Sequence, residues 1–103
     1  MPKVKITVVK KLSTKDLFGD NLPAKPSAHS APECPVFKEG QEFIAEFVCP
    51  PGFCGVAFSD LQKNIEHLIF GGDYPWFEDK GVIIACCNDG LRPVFFKLER
   101  VED

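Results

Sequence analysis

The stretch "FSDLQKNIEHLIFGG", residues 58–72, decides how the rest of the chain is read. Leu61, Ile65, Leu68 and Ile69 recur at the three- and four-residue intervals of one helix face, with Asp60, Lys63, Asn64 and His67 opposite. Ser59 followed three residues later by Gln62 fits a capping box, and Gly71-Gly72 supplies a left-handed stop. The spacing predicts one main helix over about 59–70, with a start nearer Gly55 as the alternative. A helix with a single apolar face needs a second layer to bury it.

The flanking segments supply that layer as strands. In "KVKITVV", residues 3–9, Val4, Ile6 and Val8 share one face and Lys3, Lys5 and Thr7 the other. Glu39-Gly40 is a turn signal, and 42–48 reads as a second strand with Phe43, Ala45 and Phe47 aligned. Gly81 opens a third strand over 82–87, Asn88-Asp89-Gly90 turns the chain, and 92–101 returns with Val94, Phe96 and Leu98 alternating against Phe95, Lys97 and Glu99. The order β, β, α, β, β predicts an α+β fold. Its sheet is small and antiparallel, or a partly open barrel, of about four to five strands with the helix packed on it. Residues 20–33, "DNLPAKPSAHSAPE", carry no apolar period and belong to a Pro/Ala/Ser-rich surface loop at about 18–33, with His29 solvated in it.

A chain of 103 residues fits a single domain, 1–103, with a thin core. Hydrophobic residues make up 45% and ten residues are phenylalanine, which places it among globular chains. A net charge of −3 gives no footprint for nucleic acid. No apolar run reaches the length of a membrane span, and the start, "MPKVKI", is too charged for a signal core. The expected compartment is the cytoplasm. Five cysteines, an odd number, are expected to stay reduced there.

Those thiols are the candidates for chemistry. Cys34, Cys54 and the Cys86–Cys87 pair all fall near element ends, where a rigid scaffold presents functional groups. Neighbours on a strand point to opposite faces, so only one of Cys86 and Cys87 can face a given site. Cys87, nearer the turn, is the preferred one. Cys34, Cys54 and Cys87 (or Cys86 in its place) could hold a metal such as zinc, iron or copper, although no CxxC knuckle is present. Alternatively Cys54, at the N-terminus of a helix beginning near Gly55, is a nucleophile activated by backbone N–H groups. Cys87 and Asp89 complete the candidate catalytic set. Arg92 could receive a carboxylate or phosphate, with Asp60, His67 and Trp76 as further ligand-binding candidates. Each has a plainer reading. Free cysteine is commonly buried packing, Asp89 a turn-former, Asp60 a first-turn helix acid, His67 solvated, and Trp76 and Phe77 core-sealing.

The segments "CPVFKEGQEF", "PPGFC", "FGGDYPW" and "ACCNDGLRPVFFKLER" resemble a family of small, functionally uncharacterised, cysteine-containing proteins of about this length. Its members occur in anaerobic bacteria, archaea and some fungi. The resemblance runs from Cys34 to Arg100 and includes the first strand. It implies a stand-alone domain with thiols matching Cys34, Cys54 and one of Cys86 and Cys87, and it brings no activity with it. The chain departs from the family pattern in its longer 18–33 loop. It also reads Gly-Val-Ala-Phe after Cys54, where a tryptophan near Phe58 is expected.

Two functions follow. One is a cysteine-lined pocket that binds or acts on a metal ion or a small, anionic molecule. The other is a non-catalytic binding or homo-oligomerising module whose cysteines are packing.

Overall fold

The computed structural model describes residues 1–23 and 32–101. In chain order the elements are β1 (Lys3–Lys11), α1 (Thr14–Phe18), β2 (Glu42–Ala45), α2 (Gly55–Ile69), β3 (Val82–Cys86) and β4 (Val94–Val101). All strand pairs are antiparallel, and the sheet order is β2-β1-β4-β3. The fold is α+β, with an open four-stranded sheet and one main helix. The barrel alternative fails because β2 and β3 lie at opposite edges.

Alternation in β1 and β4 builds the covered face. Ile6 pairs with Leu98 and Val8 with Phe96, and all four are fully buried or nearly so. Onto them α2 lays Ala57, Phe58, Leu61, Ile65, Leu68 and Ile69. Burial of each large side chain contributes roughly 1.5–3 kcal/mol, which is how so thin a core holds. The other sheet face stays open and carries ion pairs of Lys5 with Glu42 and Glu99, and of Lys97 with Glu99.

Of the two helix starts that the spacing allows, the structure takes the earlier. α2 begins at Gly55 with Cys54 as its N-cap, four residues before Ser59. Ser59 lies inside the first turns and its hydroxyl donates to the Val56 carbonyl instead of capping. Apolar Val56, Ala57 and Phe58 continue the helix without showing a separate start signal. The second strand is shorter than expected, ending at Ala45, and Phe47 packs outside it against Phe70.

One element has no counterpart in the strand-and-helix expectation. In α1 the Ser13 hydroxyl accepts from Asp16 N and the Asp16 carboxylate accepts from Ser13 N, a full capping box. The box was legible, but it is followed by too few apolar residues to announce a helix. His29 and residues 24–31 of the Pro/Ala/Ser-rich loop lie outside the described residues.

Candidate functional site

Three segments bring thiols to the N-terminal end of α2. The first is Pro50-Pro51-Gly52-Phe53, where Phe53 N donates to the Pro50 carbonyl at 3.2 Å. Gly52 has φ +80°, as the third position of a type II turn demands, and Pro51 fits the second. The turn drives the Phe53 ring into the core against Phe37 and Phe96, with centroids 4.9 and 5.5 Å away. Cys54 is left at the helix N-cap with no side-chain cap bond of its own, and no acidic residue occupies the first turn.

Cys34 rides on a segment anchored by the fully buried Phe37. A register shift between Val8 and Lys10 brings Lys11 opposite Val94. From there its ammonium donates to the Phe37 carbonyl at 2.7 Å, and its backbone N–H donates to Glu39. Lys38 N donates to the Gln41 side chain, closing the Glu39-Gly40 turn.

Cys87 leads the third segment. Its N–H donates to the Val94 carbonyl at 3.0 Å, and Val94 N–H donates to the Cys87 sulfur at 3.3 Å. Asp89 accepts from the N–H groups of Leu91 and Arg92 and pairs with the Arg92 Nε at 3.1 Å. Burial alone would push the Asp89 carboxyl up. The two N–H groups and the guanidinium outweigh it and hold Asp89 below the usual carboxylate range. Thr14 of α1 donates to the Leu91 carbonyl, and Asp60 of α2 accepts from Asn88 N at 2.7 Å. The loop after β3 is therefore pinned from both sides.

Cys34, Cys54 and Cys87 line one cavity of about 330 Å3 with Asp60, Asp89 and Arg92. Val36, Phe37, Val56, Ala57 and Val94 make most of its wall, so the cavity is apolar with a few polar groups at its margin. That size and character lie at the small end of sites that take small organic molecules. The three thiols are free and partly buried against the core.

The remaining candidates go elsewhere. Cys86 faces a separate groove beside Trp76, and its thiol donates to the Cys87 carbonyl at 3.1 Å. Burial, then the neighbouring Cys87 and Asp60, push the Cys86 thiol up, so it remains protonated and a poor nucleophile. Cys49 is exposed near the Pro-Pro-Gly turn and does not line the cavity.

His67 and Trp76 do not line this cavity. His67, in the last turn of α2, stacks on Tyr74, and Tyr74 stacks on Trp76 in the separate groove beside Cys86. Nor is His67 solvated, because its Nε2 is buried with no hydrogen-bond partner. Trp76 does not seal the core either, being 71% exposed. Helical spacing put His67 on the polar face, but Gly72 leaves the space for its imidazole, and Tyr74 stacks on it.

The metal expectation is corrected too. Among the described residues no three His, Cys, Asp or Glu side chains are grouped closely enough to hold a metal ion. The three cysteines share a cavity wall without sharing a point, because each is fixed by a different segment. Val36, Phe37, Val56, Ala57, Asn88 and Val94 are lining residues that the sequence did not mark, since each reads there as ordinary strand, helix or turn.

No family model, curated protein or solved structure matches this chain.

Proposed function

We propose that the chain binds a small anionic molecule with an apolar body in the cavity at the N-terminal end of α2, and that Cys54 is the thiol that reacts with it or contacts it. The observation that carries this reading is the composition of the cavity wall. Apolar side chains line most of it, while three free thiols and the Arg92 guanidinium share the rest. Arg92 uses its Nε on Asp89, and the remaining guanidinium N–H groups suit a carboxylate or phosphate. The Cys54 sulfur makes no capping bond and, at the N-cap of α2, lines the cavity where a bound molecule would meet it. Asp60 and Asp89 are occupied by backbone N–H groups, so they position the Cys87–Arg92 loop and are not free acids or bases.

Competitive alkylation tests this. Iodoacetate and iodoacetamide differ in charge and little in size, and free thiols prefer the neutral reagent. In this cavity iodoacetate is expected to modify Cys54 several-fold faster than iodoacetamide does, with the preference lost in Arg92→Gln. Equal labelling of Cys54 by both reagents, with Cys49 the fastest site for each, would sink the proposal.

The packing reading keeps one observation in its favour, since Cys34, Cys54 and Cys87 all abut the core. Under it, serine at any of the three lowers stability and changes no binding.

A further inference from the structure

The sheet ends in two unlike edges. β2 is four residues long and is bracketed by Glu42 and Glu46, and short charged edges resist pairing with another chain. β3 reads Val-Ile-Ile-Ala-Cys, with no charge, no proline and an unbroken register on β4. Arg100 N donates to the Gly81 carbonyl and Cys87 N to the Val94 carbonyl, which fixes the alternation between them. Ile83 and Ala85 turn their backbone groups toward β4, between the Gly81 carbonyl at one end of the ladder and the Cys87 N–H at the other. Val82, Ile84 and Cys86 therefore turn theirs outward, where no strand among the described residues receives them.

A groove of about 470 Å3 runs along this edge, bordered by α2 and the Tyr74–Phe77 loop. Trp76 stands in it, stacked on Tyr74 at 4.7 Å and 9°, and Tyr74 stacks on His67 at 4.6 Å and 17°. Gly72 makes the ladder possible, because a Cβ there would collide with the His67 imidazole. The ladder fixes the orientation of an exposed Trp76 before any partner arrives, so little side-chain freedom is left to lose on contact. Ile84, also exposed, lies in the same groove.

We infer that two copies of the chain pair through β3, antiparallel about a two-fold axis at Ile84. Such a pairing sets Ile84 against Ile84 and Val82 against Cys86, so the outward N–H and C=O groups of one copy meet those of the other in register. The strand is uncharged, and the groove above it holds one acid and one base, Asp60 and Lys63, so a copy meets no single-sign field. The same contact covers Trp76. A foreign extended peptide would find the same edge, but the groove has no excess charge to select it.

Sedimentation over low micromolar to millimolar concentration, with fluorescence of the single tryptophan as a second readout, tests the pairing. The expected result is a concentration-dependent dimer whose emission shifts to the blue as it forms. Ile84→Pro removes an outward N–H and none of the β4 ladder, and it is expected to leave a monomer with unchanged circular dichroism. Val82→Cys is expected to cross-link to the partner's Cys86 under mild oxidation, with the link lost when Cys86→Ser is added. Should Ile84→Pro fail to fold, the cross-link decides. A monomer throughout would overturn the inference, as would a dimer that survives Ile84→Pro or gives no cross-link.

Discussion

At its C-terminal end α2 is closed by a guanidinium, whereas at its N-terminal end the helix opens onto a cavity with no side chain capping it. Arg100 donates to the carbonyls of Leu68 and Gly72 at 3.0 and 2.9 Å, and Asp73 receives both Arg100 and the N–H of Gly81. Gly81 N–H first, with Arg100 adding, keeps Asp73 below the usual carboxylate range despite partial burial. Gly71, at φ +88°, takes the left-handed turn that lets the chain leave. One end thus satisfies its helix carbonyls within the fold. The other has no side-chain cap and borders the apolar cavity that Cys34, Cys54, Cys87 and Arg92 line. The two ends teach that distant segments decide which terminus of a helix is capped by a side chain and which is left beside a cavity.

Phe37→Ala breaks the comparison at its root, because that ring joins the Cys34 segment to the shared core. A loss of about 3–5 kcal/mol is expected in urea unfolding, with faster labelling of Cys34. A loss below about 1 kcal/mol would mean that the cavity wall is independent of the core.

The ends themselves are compared by Arg100→Met and Cys54→Ser. The first leaves the Gly72 carbonyl without its donor and the Leu68 carbonyl with only the Gly71 N–H, and is expected to cost about 1–3 kcal/mol. The second is expected to change stability by less than about 1 kcal/mol, since serine is a good N-cap, while abolishing the fast iodoacetate labelling assigned to Cys54. Equal destabilisation by the two would erase the distinction between a closed end and an open one.

The smallest effect concerns pH. Asp89 is depressed below its ordinary value of 3.8, so its contribution is fully present above that value. It is lost as pH falls through the lower, folded value. Acid is therefore expected to loosen the Cys87–Arg92 loop before the core melts, seen as loss of amide protection at Leu91 and Arg92. Asp89→Asn should remove that step. Asp16 in α1 and Asp73 after α2 are also held low, and their segments serve as internal comparisons.

Sequence alone determined the layers. The two-residue alternation of Val4, Ile6, Val8 and of Val94, Phe96, Leu98, with the helical spacing of Leu61, Ile65 and Leu68, specified an antiparallel sheet under one helix. Those periods are set by local backbone geometry, which a sequence displays directly. The adjacency of Cys86 and Cys87 also dictated that they part to opposite sides.

Tertiary structure decided everything that depends on distant partners. Cys54 became an N-cap only because the Phe53 ring, buried among Phe37 and Phe96, fixes where the Pro-Pro-Gly turn delivers the chain. His67 and Trp76 stand outside the cavity, in an aromatic stack for which Gly72 leaves room. Which thiols share a wall, and that they share no single point, follows from three separate anchors: Lys11 on the Phe37 carbonyl, Phe53 in the core, and Asp60 on Asn88. Such contacts join residues far apart in the chain, and no local period records them.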